Sequence, residues 1–194
     1  MEKVIIVDTR NQKDDFVVKS LQQRGYKIIR SKLPFGDVAL STNILNCIDL
    51  KSSSGGLLEV CKNRCSKDHN RMKREIENCL NYGGQITFIC FEPGMKTIED
   101  IENWKVPTFK SDLYKKKKLF DEEGYCYGYE RILVHKKGEL MTKVKPETLM
   151  KSIKTMTEQD HYKIGAKVDF IFATKDNCAD KIIEILEKEG ICLC

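Results

Sequence analysis

The amino-acid sequence predicts an α/β fold in which helices flank a mixed central sheet. Short runs of β-branched and other apolar residues alternate along the chain with segments whose apolar residues recur at helical spacing. Two of the early strand-like runs are separated only by a short turn, which predicts an antiparallel pair inside the sheet. The chain has 194 residues, enough for one domain with its own core.

Strands dominate the first part of the chain. In order, the predicted elements are a strand at 3–8, a helix within 12–25, a strand at 26–33, and strands at 37–41 and 43–51 that pair across a turn near 42–46. Gly25 marks the end of the helix, and Pro34 with Gly36 break the chain before the paired strands. Because side chains alternate along a strand, Asp49 and Lys51 are expected on one face.

Helices become more frequent after residue 51. The predicted elements are a basic helix within 67–84, a strand at 85–92, a short acidic helix at 97–104, a helix at 145–159, a strand at 166–174 and a helix at 178–190. Residues 105–145 show neither the helical nor the strand periodicity of apolar residues. They contain four consecutive lysines and a Tyr/Gly-rich segment. We therefore predict a single domain over 1–194 with an inserted loop or hairpin at about 105–145.

Composition excludes several classes of protein. No apolar stretch approaches the length of a membrane span, and the opening residues do not form a signal peptide, so an intracellular protein is expected. The nine cysteines are irregularly spaced, which favours reduced thiols over a disulfide framework. Cys61, Cys65 and His69 could share a helix face, but a zinc site needs a fourth ligand and no CxxC pair is present. The net charge of +5 permits an anionic partner.

Asp37, Asp49 and Lys51 form the strongest chemical pattern in the chain. Two aspartates are followed by a lysine one residue after the second, and a Gly/Ser segment and a basic helix come next. Carboxylates that hold Mg²⁺ can neutralise a phosphodiester, and a nearby lysine can orient the attacking water. The backbone carbonyl of Leu50 would remain available to the metal while its side chain enters the core. The alternative is surface charge on a strand, because loose patterns of this kind occur by chance.

Four blocks in this order resemble a known family. They read VDTRN, LPFGDVAL, CIDLKSS and DHNRMKREIE. Together they resemble the XPF-type structure-specific nuclease domain of the PD-(D/E)XK, or restriction-endonuclease-like, superfamily, and especially its compact phage and bacterial members. The resemblance covers about 4–104 and resumes over about 145–188, where ETLMKSIKTM and CADKIIEILE are similar to helices of that family.

That resemblance implies a restriction-endonuclease-like fold and a Mg²⁺-dependent endodeoxyribonuclease, with Mn²⁺ as the alternative metal. The expected substrate is branched or flapped DNA in recombination or repair, including junction resolution, and a homodimer is compatible with it. The expected location is the cytoplasm or nucleoid of a bacterial or phage-infected cell. The implied metal ligands are Asp8, Asp37, Asp49 and the Leu50 carbonyl, Lys51 is the implied catalytic lysine, and the implied DNA contacts are Arg10, His69, Arg71, Arg74, Lys151 and Lys154.

The chain also departs from the family pattern. Asn11 stands where the family has a glutamate, Leu50 replaces an arginine, and Ser53 to Gly56 replace the acidic residues that follow the lysine. The helix–hairpin–helix module often attached to family members is not apparent. These departures keep open the alternative of a catalytically inactive DNA-binding module on the same fold. An RNA nuclease on the same scaffold is a further alternative, because nothing in the residues excludes it.

Overall fold

A computed structural model describes residues 3–51, 55–65, 70–158 and 167–188. The chain divides into two compact units, Met1–Asn103 with Val144–Cys194 and Trp104–Lys143. We call the first the α/β unit and the second the hairpin unit. The single domain with an insertion at 105–145 stays a prediction.

Six strands of the described residues form the mixed sheet of the α/β unit. They are β1 (Val4–Asp8), β2 (Lys27–Ser31), β3 (Val38–Leu40), β4 (Asn43–Lys51), β5 (Gln85–Cys90) and β8 (Lys167–Phe172), in the order β2-β1-β3-β4-β5-β8. Strand β3 pairs antiparallel with β1 and β4, and the remaining neighbours are parallel. The predicted mixed sheet and the predicted antiparallel pair are confirmed, with Val38 opposite Ile48.

Helices flank this sheet, as the sequence predicts. They are α1 (Asp15–Gln23), α2 (Gly56–Cys65), α3 (Asn70–Asn81), α4 (Pro146–Glu158) and α5 (Cys178–Glu187), with a short 3-10 helix at Glu99–Asn103. The core cluster includes Val17 and Leu21 of α1, Ile182 of α5, and Ile48 and Leu50 of β4. The apolar sides of α1 and α5 therefore cover one face of the sheet.

The other face of β4 is directed toward α2 and α3. Since strand side chains alternate, Cys47, Asp49 and Lys51 lie opposite the side that carries Ile48 and Leu50. Helix α2 contacts β4, and α3 contacts α2 and β5. A short polar run of β4 is thus buried between the sheet and two helices.

The hairpin unit contains a two-stranded antiparallel sheet. Its strands are β6 (Leu113–Phe120) and β7 (Cys126–His135), joined by a turn in which the Asp121 carboxylate accepts a hydrogen bond from the backbone N–H of Tyr125 at 2.7 Å. Most side chains of both strands are exposed. The ring of Phe109 stacks on His135, with centroids 4.3 Å apart.

Two further sequence predictions can be compared with the described residues. Their free cysteines are Cys47, Cys61, Cys79, Cys90, Cys126 and Cys178, in agreement with reduced thiols. No helix in the described part of the chain is long and apolar enough to cross a membrane. His69, predicted to contact DNA, lies outside the described residues.

Candidate active site

Strand β4 brings Asp49 and Lys51 together in the interior. Their side chains form an ion pair between Lys51 Nζ and Asp49 Oδ1, and the two residues are only 5% and 4% exposed respectively. Leu50 points the other way, into the core. The predicted shared face of Asp49 and Lys51 is therefore present. Such a pair is uncommon in an interior, because desolvation disfavours each charge unless the partner is close.

Asp37 reaches the same place from the start of β3. Its backbone N–H donates to the Ile48 carbonyl at 2.7 Å, and its carbonyl accepts from the Asp8 N–H at 2.8 Å. Its carboxylate accepts a hydrogen bond from the Leu50 N–H at 2.9 Å. The backbone of β1 and β4 thus holds Asp37 from both sides and joins its carboxylate to the Asp49–Leu50–Lys51 segment.

Gly36 makes this approach possible. Its φ of +68° lies in the left-handed region that favours glycine. A Cβ at Gly36 would lie 2.9 Å from Cys47 Sγ and 3.0 Å from the Ile48 carbonyl oxygen. The glycine of the sequence LPFGDVAL is therefore required both for the turn and for the close contact with β4.

Glu75 of α3 is a site residue that the sequence analysis missed. Its carboxyl hydrogen-bonds to the Asp49 side chain and accepts a hydrogen bond from the Gly36 N–H at 3.1 Å. The helix around it was interpreted as a basic DNA-contacting surface. A usable signal was present, since Glu75 lies next to the buried stripe of Met72, Ile76 and Cys79 and not on the exposed side with Lys73.

The acidic side chains of this cluster repel one another. Burial, followed by the charge of Asp49, raises the pKa of Asp37 to about 8. The same two causes raise the pKa of Glu75 to about 7. Carboxyl groups in such proximity resist ionising together, and a nearby cation relieves the repulsion.

Lys51 is the cation placed inside the cluster. Burial alone would lower the pKa of Lys51, but the charges of Asp49 and Glu75 outweigh it and raise the pKa above its usual value. Lys51 Nζ also lies 5.4 Å from the ring centroid of Phe88. The lysine therefore stays protonated in spite of its burial.

The cluster opens into a pocket of about 410 Å³. Its acidic lining residues are Asp14, Asp37, Asp49, Glu59 and Glu75. Its basic lining residues are the buried Lys51 and the exposed Arg10, Lys13, Arg71 and Arg74. Arg71 and Arg74 are exposed residues of α3. The pocket thus combines buried and half-buried carboxylates with exposed cations, an arrangement suited to an anion whose reacting group needs a metal.

Asp8 is held by Arg10 and not directed at the pocket. Its carboxylate, 1% exposed, accepts hydrogen bonds from the Arg10 N–H and guanidinium, each at 2.7 Å, and from the Leu33 N–H at 2.8 Å. Although burial would raise the pKa of Asp8, these bonds hold it below its usual value. In this arrangement Asp8 positions Arg10, which lines the pocket. Its role as a metal ligand stays a prediction.

The remaining predicted DNA contacts divide between two places. Arg10, Arg71 and Arg74 line the pocket, whereas Lys151 and Lys154 of α4 do not. Lys154 forms an ion pair with Glu99 at 2.8 Å, and its pKa is raised by that hydrogen bond. The predicted DNA contacts of α4 therefore lie apart from the pocket-lining cations.

The donor atoms of the pocket fit a hard divalent cation. Mg²⁺ binds oxygen ligands and commonly takes one or two protein carboxylates, with water and substrate phosphate completing its shell. Asp37 and Asp49 supply such carboxylates, and their repulsion is of the kind that a cation relieves. No group of three or more His, Cys, Asp or Glu side chains among the described residues is spaced to hold a metal by itself. The Leu50 carbonyl stays a predicted ligand.

No protein-family model matches the chain, and no curated protein does. The function of the site therefore has to be argued from its own residues.

Proposed function

We propose that this protein is a metal-dependent nuclease that hydrolyses phosphodiester bonds in DNA. The observation that carries the proposal is the meeting of Asp37, Asp49 and Lys51 in one pocket that exposed arginines also line. The half-buried carboxylates Asp37 and Glu75 lie beside the buried ion pair. A purely structural ion pair seldom has such neighbours, since each further charge raises the desolvation cost. A cluster of carboxylates that persists in spite of this desolvation cost is a candidate catalytic site.

Asp37 and Asp49 are the residues that would hold Mg²⁺, with Mn²⁺ as a substitute. When bound, the ion would neutralise charge on the scissile phosphate and make a water molecule more acidic. Asp37 is fixed by the Leu50 N–H, and Asp49 by Lys51 and Glu75. These contacts orient the carboxylates before substrate arrives, so little reorganisation is needed.

Lys51 holds a proton at Nζ inside the pocket. There it would donate a hydrogen bond to the attacking water or to a phosphate oxygen, and its positive charge would stabilise the negative charge that develops on the phosphate. Glu75 would position Asp49 through their hydrogen bond and through the Gly36 N–H. Arg10, Arg71 and Arg74 would contact the flanking phosphates, so binding should weaken as salt concentration rises.

Branched DNA is the substrate class that we propose. The ordered blocks VDTRN, LPFGDVAL, CIDLKSS and DHNRMKREIE support it through their resemblance to XPF-type nucleases. A role in recombination or repair follows from the same resemblance.

A cleavage assay with labelled substrates tests the proposal. The panel contains a four-way junction, a flap, a linear duplex, a single strand and an RNA, each with Mg²⁺, Mn²⁺ or EDTA. Asp49→Asn preserves the shape of the side chain and removes its charge, and we expect cleavage to fall by about 10²–10³-fold with binding retained. Asp176→Asn makes the same chemical change at an exposed aspartate outside the pocket and should leave the rate unchanged.

The possible outcomes separate the alternatives. A wild-type chain that binds DNA but cuts none of the substrates with either metal would contradict the proposal and favour the inactive binding module. Faster cleavage of RNA than of every DNA would move the same site to an RNA nuclease. Equal rates for Asp49→Asn and the wild type would show that the pocket is not the catalytic site.

A further inference from the structure

The hairpin unit exposes aromatic side chains in an unusual concentration. Its large, strongly exposed aromatic residues are Tyr114, Phe120, Tyr125, Tyr127 and Tyr129. Tyr129 is 61% exposed and Tyr114 is 43% exposed. An exposed apolar surface of this kind commonly marks a binding site. Neither the pocket nor its proposed chemistry uses these side chains.

The strand register sorts the hairpin side chains into two faces. Lys116 lies opposite Arg131, Lys118 opposite Tyr129, and Tyr114 opposite Leu133. Residues directly opposite in an antiparallel pair project to the same side, and the next residues along each strand project to the other. One face therefore carries Tyr114, Lys116, Lys118, Tyr129, Arg131 and Leu133, and we call it the tyrosine–lysine face.

Contacts across the strands confirm this assignment. Arg131 lies over the Tyr114 ring, 4.9 Å from its centroid, and Lys116 lies 5.9 Å from the Tyr129 centroid. Both pairs join residues that the register places on the same face. Cations and rings are therefore interleaved on this face while the rings remain accessible to solvent.

The charges of the two faces differ. Lys115 and Lys117 lie on the opposite face, which also contains Glu130, paired in register with Lys117. The tyrosine–lysine face contains no acidic residue along the paired strands. All charged residues of the tyrosine–lysine face along the paired strands are thus cations, and the face is complementary to a polyanion.

We propose that the tyrosine–lysine face binds an unpaired DNA strand. Lysine and arginine side chains neutralise phosphates, and tyrosine rings stack on bases whose faces are free. Residues on one face of a strand repeat every ~7 Å. That repeat is about twice the 3.4 Å rise per base pair of a stacked duplex. Rings and cations at this spacing suit a stretched strand better than a duplex.

The choice of DNA over RNA rests on the proposed function, whereas the stacking and charge argument does not. Branched and flapped substrates contain or adjoin unpaired segments. A hairpin that binds such a segment would add affinity for these substrates without taking part in hydrolysis.

Alternate lysines of one strand provide the decisive test. Lys116→Ala/Lys118→Ala removes two charges from the tyrosine–lysine face, and Lys115→Ala/Lys117→Ala removes two from the opposite face of the same strand. Binding of a fluorescent oligothymidylate of about 15 nucleotides is measured by anisotropy in EDTA with the full-length chain. We expect the first double variant to lower the slope of log affinity against log salt by about 1.4 and the second to change it little.

Tyr129 tests the stacking contribution. Tyr129→Ala should weaken oligothymidylate binding about tenfold, and Tyr129→Phe, which keeps the ring, should retain the affinity of the wild type. Circular dichroism of each variant checks that the fold is retained. If Tyr129→Ala disrupts the fold, Tyr129→Phe and the two double lysine variants still test the proposal.

Several results would overturn the inference. These are an equal loss of affinity in the two lysine variants, unchanged binding by folded Tyr129→Ala, tighter binding of duplex than of single strand, and a clear preference for RNA of matched sequence. A change of molar mass by light scattering in Tyr129→Ala, with unaltered DNA affinity, would assign the face to self-association. Because the assay needs no cleavage, a chain that binds but does not cut refutes only the proposed nuclease activity.

Discussion

Lysines occur in two contrasting environments in this protein. Lys51 is buried beside Asp49 in the pocket of the α/β unit, whereas Lys115 to Lys118 are exposed along one strand of the hairpin unit. The buried lysine is fixed by its partner and keeps its proton because of surrounding carboxylates. The charges of the exposed lysines are screened by solvent and salt.

The difference separates two uses of the same side chain. A buried charge has a defined position and acts in a low dielectric, where it can influence a reaction. Exposed charges contribute affinity for a polyanion and little else. A single lysine in the sequence DLK therefore has more chemical consequence than the conspicuous run KKKK.

Lys51→Met should give the largest change in folding stability. It leaves the Asp49 carboxylate buried without its partner, a change that costs about 3–5 kcal/mol in comparable pairs. Lys117→Met on the exposed strand should have little effect. Urea unfolding in EDTA measures both, and a smaller loss in the double variant Asp49→Asn/Lys51→Met would assign the cost to the unpaired charge. Equal stabilities of Lys51→Met and Lys117→Met would contradict the contrast between the buried and the exposed lysine.

Asp37→Asn should stabilise the metal-free protein, and more so at high pH. The pKa of Asp37 rises from 3.8 to about 8 on folding. The folded state therefore holds this proton more tightly than the unfolded state, so stability falls as pH increases between these values. Asparagine removes that loss. We expect a gain of more than about 1.4 kcal/mol at pH 8, the equivalent of one pKa unit, and a smaller gain at pH 5.

The exposed Asp176 provides the matched control for this measurement. Asp176→Asn should show no difference in stability between pH 5 and pH 8 beyond that of the wild type. A pH-independent effect of Asp37→Asn would mean that Asp37 is not the titrating carboxyl. Urea unfolding in EDTA at the two pH values decides.

Arg71 and Lys154 should differ in a smaller effect on DNA binding. Arg71 lines the pocket, and Lys154 is paired with Glu99 outside it. With the Asp49→Asn chain and a duplex substrate, Arg71→Ala should lower the salt slope by about 0.9. Lys154→Ala should leave that slope nearly unchanged. If Lys154→Ala lowers the salt slope as much as Arg71→Ala does, α4 contacts DNA as the family resemblance implies.

Much of the α/β unit follows from the sequence. The β-branched runs locate β1, β4, β5 and β8, and the apolar stripes locate α1, α3, α4 and α5. Strand alternation correctly places Asp49 and Lys51 on one face, because residues two apart on the same strand project to the same side.

Contacts between distant segments could not be read in the same way. Glu75 meets Asp49 only because α3 packs against α2 and β5, and no local pattern fixes which helix residue faces a strand residue. Leu33 is likewise distant in sequence from Asp8 and Arg10. Its N–H donates to the Asp8 carboxylate, and its carbonyl accepts a hydrogen bond from the Arg10 guanidinium. In residues 105–145 the strands expose both faces, so the alternation of apolar and polar residues that reveals a half-buried strand is missing.

Calorimetric titration with Mn²⁺ tests the central claim most directly, namely that the pocket carboxylates of Asp37 and Asp49 hold a divalent cation. The comparison is between Asp49→Asn in the pocket and Glu122→Gln in the exposed acidic turn of the hairpin unit. We predict that the wild type and Glu122→Gln bind Mn²⁺ alike and that Asp49→Asn loses this binding. Retained binding by Asp49→Asn, or its loss in Glu122→Gln, would contradict the claim.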